Sequence, residues 1–248
     1  MSGIRNSFTR RVRVLALAVA AITLLATSAW SIDPPAIQST KLTGSSQLPP
    51  SIAQAINPSG VLFYTYWGDR KMRIFEVFPA LAVEAHTKPL PSDSPLYSNL
   101  QQGTFVGVIH LLASANDDYR QDSNYQRLRP GYYTMRYGVA GDLDDDNPGE
   151  QEEVVFLTPV ANDRSPARIA DDDRLVALSR KASQTQKPAV MNIAPVDENR
   201  KEPRVLRNDD SGASVLQLRL PNKSAHAAKP SLVPVAITLV NTGPGDEE

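Results

Sequence analysis

The chain reads as a mainly β protein, a two-sheet sandwich or open barrel of Ig-like or jelly-roll-like kind with one short covering α-helix. Three observations predict it. Short runs dense in aromatic and β-branched residues recur along the chain, turn-forming Pro, Gly, Asp and Asn separate them, and one segment alone carries a helical pattern. Twenty prolines and thirteen glycines in 248 residues supply the breaks that so many strands need. There is no cysteine, so a disulfide framework, a thiolate metal site and a cysteine nucleophile are all excluded.

The first 31 residues are set apart from the rest. They carry Arg5, Arg10, Arg11 and Arg13 with no acid, then an apolar run from Val14 to Ala26, then small residues up to Ser31. This is the layout of a secretory signal, cleaved near Ala29 or Ser31, because the run is shorter than the ~20 residues a spanning helix needs. The alternative is an uncleaved anchor in the inner membrane through residues 14–31, with Trp30 at the interface. Either way the expected location is the periplasm or the exterior, and membrane contact is expected only if the segment stays attached. Without it, 22 cations face 27 anions, a mildly acidic balance that would repel a phosphate backbone. Nucleic acid is therefore not an expected partner.

Residues 32–60 are rich in Pro, Ser, Gln and Thr without a sustained period, and read as a flexible arm or linker. The β domain is expected over 61–240, beginning with the hairpin Val61 to Trp67 and Met72 to Phe78 around Gly68 and Asp69. Further strands are expected at Thr104 to Leu112, Tyr132 to Val139, Val154 to Val160, Ala189 to Ile193, Ser214 to Leu220 and Val233 to Val240. In the second of these, alternation puts Tyr133, Met135, Tyr137 and Val139 on a buried face, and Thr134 and Arg136 on a wet one. Arg129, Pro130 and Gly131 supply the turn before it. Asp171 to Ser183 is the helix: acids open it, cations close it, and Leu175, Leu178 and Ala182 share a stripe. Residues 241–248 form a polar tail.

Four segments in order, GTFVGVI (Gly103 to Ile109), RPGYYTMRYG (Arg129 to Gly138), VFLTPVAND (Val155 to Asp163) and LVALSRKASQTQKPAV (Leu175 to Val190), carry a resemblance. They resemble an uncharacterised family of exported bacterial β-rich proteins, of the kind seen in acidobacterial genomes, marked by a Tyr-Thr-x-Arg-Tyr-Gly hairpin. The resemblance covers about Val61 to Ile193. It implies export and a β-rich fold, and it carries no activity and no catalytic residue. The family's acidic loop tends toward Asp-Gly with a nearby His; this chain has Asp144, Asp145, Asp146 and Asn147 there.

That loop is the sharpest local feature. In Asp142 to Glu153 (DLDDDNPGEQEE), Asp142, Asp144, Asp146, Glu150 and Glu153 follow the donor spacing of a calcium loop, in which alternate side chains converge on one hard cation. Asn147 stands where such a loop places Gly, and strands flank it where helices are usual, so a solvated acidic hairpin loop is the plain alternative. Calcium is the one cofactor the sequence suggests. The histidines His86, His110 and His226 are isolated, and no paired spacing makes them ligands; His110 reads as a hydrogen-bonded strand residue. Nucleophile elbows and phosphate loops are missing, and no catalytic residue can be named.

Tyr64, Tyr66 and Tyr132 form a candidate binding patch, since tyrosine offers a flat apolar body and a polar tip to a sugar or a protein. If the arm or the helix covers them, they are core. The function these readings favour is a non-catalytic binding or scaffolding module of the cell envelope, with a protein or glycan partner. Two alternatives stand beside it: a hydrolase of envelope or extracellular polymers working through paired carboxylates, and a cation-stabilised structural domain.

Overall fold

Alternating apolar segments bury one face each and need a second layer to cover it, which sets the architecture. The computed structural model describes residues 36–67, 70–86, 99–113, 120–123, 126–141, 151–196, 203–207, 214–223 and 231–240. In chain order these form β1 (Ala36–Lys41), a 3-10 turn (Ser45–Gln47), a single-turn helix α1 (Pro50–Ala53), β2 (Ser59–Trp67), β3 (Arg70–Pro79) and β4 (Phe105–Leu111). Then come β5 (Arg120–Gln121), β6 (Arg127–Leu128), β7 (Gly131–Gly141), β8 (Gln151–Pro159), helix α2 (Asp172–Ser183), β9 (Val190–Asn192), β10 (Arg204–Arg207), β11 (Ser214–Pro221) and β12 (Leu232–Val240).

The larger sheet runs β1-β2-β3-β4-β7-β8-β9, the smaller β10-β11-β12, and β5 with β6 makes a small hairpin between β4 and β7. All named pairings are antiparallel, and the larger sheet is a meander whose neighbours follow sequence order. Phe63, Phe75, Val77, Ile109 and Met135 of the larger sheet share one core with Leu216, Leu218, Val235 and Ile237 of the smaller. The expected sandwich is therefore the observed one. At one side the sheets are joined: Ile193 bridges Ile237, and the Ala194 N–H donates to the Ala236 carbonyl at 2.9 Å. Across the opposite side β1 approaches β10.

The covering helix α2 starts at an Asp171 cap, whose side chain accepts from the Arg174 N–H, and stops at Gln184 in a left-handed conformation. Leu175 is fully buried, and with Ala140, Val154, Phe156 and Val190 it makes a second apolar cluster on the other face of the larger sheet. β8 is thus buried on both faces, which explains why Val154, Val155, Phe156 and Leu157 form an unbroken apolar run.

Two expectations are corrected. Residues 36–60 are not a flexible arm: β1 pairs along its whole length with β2, and Leu48, Ile52 and Ile56 are buried in the main core. Anchors four apart, separated by prolines, alanines, Ser51 and Gln54, give too sparse a pattern to stand out from a linker. Thr134 and Arg136 are not on a wet face, since neither is exposed at all. The segment between β8 and α2 folds back over them and supplies their hydrogen-bond partners. Four strands have no counterpart in the sequence reading: β5 and β6 are only two residues long, β1 is mostly polar, and in β10 two arginines balance Val205 and Leu206. The signal segment 1–31, the hairpin tip Gly68 and Asp69, the tail 241–248 and His226 lie outside the described residues.

Candidate functional site

The second face of the larger sheet carries its polar interior. Register places Leu62 opposite Glu76, Glu76 opposite His110 and His110 opposite Tyr132, so these side chains project to the same side of four adjacent strands. Glu76 is buried and ties its neighbours together. Its Oε1 accepts from the Thr40 hydroxyl at 2.9 Å, and its Oε2 lies 3.0 Å from His110 Nδ1. The His110 ring stacks on Tyr132 at 4.0 Å between centroids and 9° between planes. Tyr132 in turn is roofed by Gly44: a Cβ there would stand 2.3 Å from the phenol oxygen, so only glycine permits this approach. Burial, followed by the charge of Glu76, pushes the Tyr132 phenol above its ordinary range.

A carboxylate on Nδ1 orients an imidazole with Nε2 outward, the arrangement of a general base or a single metal ligand. His110 is 24% exposed, and among the described residues Nε2 has no partner. The chemistry stops there. The Thr40 hydroxyl bonds the carboxylate and not the imidazole, so the described residues show no nucleophile–base–orienter series here. No group of three or more metal-ligating side chains occurs among the described residues.

Four residues along β7 from Tyr132, Arg136 forms the deepest polar cluster. Its Nε and Nη2 hold both oxygens of Asp163, at 2.6 and 2.9 Å. Nη1 donates to the carbonyls of Gly103 and Ala167, at 3.0 and 2.9 Å, and Nη2 also donates to that of Ser165. All five guanidinium donors are used. Thr134 adds its hydroxyl to Asp163 at 2.6 Å. Gly103, at φ 76°, turns its carbonyl into this cluster; a Cβ there would lie 1.6 Å from the Ile169 oxygen. On the opposite face of the sheet the Tyr137 hydroxyl donates to Glu153 Oε1 at 2.7 Å, and burial with this bond holds the phenol far above its ordinary range.

Of the residues expected to form a cation loop, Asp142, Asp144, Asp146 and Glu150 lie outside the described residues. Glu153 belongs to β8, with its carboxylate buried against Tyr137. Of the tyrosine patch, Tyr132 is 6% exposed, which corrects its reading as a recognition surface: the ordered arm lies over it. Tyr64 is half-buried, and the side chain of Tyr66 lies outside the described residues. His110 is the hydrogen-bonded, half-buried strand histidine the sequence favoured, and His86 is exposed.

Sequence reasoning missed Glu76, Asp163 and the cluster partners of Arg136. Glu76 is legible after the fact as the one acid inside an apolar run, in Ile74-Phe75-Glu76-Val77-Phe78, where a strand buried on both faces needs a partner for it. Asp163 carries no such mark.

An accessible concavity of the sandwich lies elsewhere. A groove of about 620 Å³ runs between β1 and β2 on one side and β11 on the other, closed at its end by Pro79, Ala80 and Leu81. Its wall mixes apolar groups (Ile37, Val61, Leu218, Leu220) with small polar ones (Gln38, Ser39, Asn57, Ser59), and Arg219 is the one ionisable side chain lining it among the described residues. Leu81, part of that closed end, is 51% exposed.

No protein-family model, no curated protein and no solved structure matches the chain.

Proposed function

We propose that this is an exported, non-catalytic β-sandwich module that binds a protein or glycan of the cell envelope through the groove between its sheets. The groove carries this reading. It is large enough for an extended chain or a few sugar rings, it mixes apolar and small polar groups, and it presents no acid–base pair to a bond. The interior supports it from the other direction. Glu76, Glu153 and Asp163 each serve a different partner, Thr40 with His110, Tyr137, and Arg136 with Thr134. Those partners are hydroxyls, an imidazole and a guanidinium, whereas a glycoside hydrolase requires two carboxylates facing each other across a cleft.

The resemblance to exported proteins bears on the same point. Three of its four segments meet at one place, because Gly103, Arg136 and Asp163 are parts of a single buried cluster. What such a motif secures is architecture. Export rests on Arg5 to Arg13 and the apolar run Val14 to Ala26; no helix among the described residues is long and apolar enough to cross a membrane.

The test is an NMR titration of the full chain with defined oligosaccharides and envelope peptides, read against the variant Ser59→Trp, which fills the groove from an exposed position. Binding is expected at groove residues and is lost in the variant. Cleavage of any of these polymers at a rate above background would overturn the reading in favour of the hydrolase.

A further inference from the structure

A second concavity lies on the far face of the larger sheet, and its charges are arranged differently. One flank of α2 presents Asp172, Val176 and Arg180, spaced by four, beside a groove of about 430 Å³ whose floor is formed by Ala140 and Phe156. Gln102 lines its other wall, and Lys187 joins Arg180 at one end. An acid in the first turn and a base in the last are what a helix dipole calls for, and that alone makes no site. Here, however, neither the Asp172 carboxylate nor the Arg180 guanidinium has a hydrogen-bond or ion-pair partner among the described residues, and both residues line the same groove. Eight residues at ~1.5 Å rise set them about 12 Å apart along the axis, too far to neutralise each other. The groove is negative at one end, positive at the other and apolar between. Gln102 accepts the Val139 N–H through Oε1 at 2.7 Å, which fixes the amide so that Nε2 remains to donate.

We propose that this groove binds a short peptide with both termini free, its ammonium at Asp172 and its carboxylate at Arg180 and Lys187. An extended chain advances ~3.3 Å per residue, so a span of about 12 Å fits three to four residues. One apolar side chain would rest on Phe156 and Val176, and Gln102 would bond the peptide backbone. The site is independent of the groove between the sheets, and the two readings can fail separately.

The experiment is an NMR titration of the full chain with the tripeptide Ala-Leu-Ala, with its N-acetyl and C-amide forms, and with the variants Asp172→Asn and Arg180→Gln. Both positions are exposed, so melting temperatures are expected to match the parent and show that each variant is folded. Millimolar binding is expected, with shifts at Gln102, Val139, Val176 and Lys187. Amidation or Arg180→Gln should weaken it about fivefold, and acetylation or Asp172→Asn by a similar factor, as exposed charge pairs do. Absence of shifts at these residues at 10 mM peptide (a concentration on the order of the weakest affinity worth naming) overturns the proposal. So does binding that ignores either terminal group, or shifts confined to the groove between β1 and β11.

Discussion

Two carboxylate-centred clusters occupy the same face of the larger sheet and differ in almost everything else. Asp163 meets Arg136 across 27 positions of sequence, with a guanidinium that is wholly buried and all of whose donors are taken. Glu76 meets His110 across 34 positions, with an imidazole that is a quarter exposed and half used. The first gathers Gly103, Ser165 and Ala167 from two loops onto β7; the second holds β1 and the segment after it onto β3 and β4. Burying a full charge costs several kcal/mol and is tolerated only when every hydrogen-bonding group is satisfied. A group still touching water carries no such requirement. Completeness of bonding therefore separates the part that determines the fold from the part that fastens one segment to it.

The largest effect should come from halving the complete cluster. Arg136→Met leaves Asp163 buried beside Thr134 without its cation, and a loss of about 3–5 kcal/mol is expected in urea unfolding. Arg136→Met with Asp163→Leu should recover a measurable part of it, because the unpaired charge goes too; no recovery would mean that the carbonyl bonds matter more than the ion pair. Gly103→Ala attacks the same cluster through the backbone. At φ 76° and with Ile169 in the way, it should cost more than about 1 kcal/mol.

An intermediate effect is expected from Tyr137. In the unfolded chain its phenol ionises near pH 10, while in the fold burial and the bond to Glu153 keep it protonated well above that. The unfolded state then releases its proton first, so this stability is fully present below about pH 10 and is lost as pH rises beyond it, by up to ~1.4 kcal/mol per unit. Tyr137→Phe should flatten that alkaline slope in denaturation curves collected between neutral and strongly basic pH. An unchanged slope would assign it to other tyrosines, of which Tyr132 and Tyr133 are also raised.

The smallest effect completes the comparison. Thr40→Val removes one partly buried hydrogen bond to Glu76, worth about 1 kcal/mol or less. Its signature should be local: faster amide exchange over Ile37 to Leu48, with exchange around Arg136 unmoved. Uniform loss of protection would show that this segment and the Arg136 cluster open together and that the distinction drawn above is false.

How much of this was readable beforehand follows from the same physics. Strands with dense apolar runs, β2, β3, β4, β7, β8, β11 and β12, announce themselves, as does α2 with its Asp171 cap and basic last turn. β1 and β10 do not, because AIQSTK and RVLR carry no clear alternation and are strands only by virtue of a neighbour. Alternation on β7 was read correctly, yet which face meets water was not. Thr134 and Arg136 look like solvent-facing residues until Asp163 is brought over them from 27 positions away. Long-range polar pairs leave no local trace in a sequence. His110 could be judged to be hydrogen-bonded from its strand context, but nothing in the residues around it names Glu76.

The order of the strands has one further consequence. As the chain is synthesised from its first residue, each of the larger sheet's strands can join its predecessor, but Phe63, Phe75, Val77 and Ile109 stay uncovered until β11 and β12 arrive. A product ending before residue 214 would display a broad oily surface with nothing to shield it, and should collect in inclusion bodies where the full chain does not. Completion of the last hairpin is thus the step that shields the nascent polypeptide's oily face.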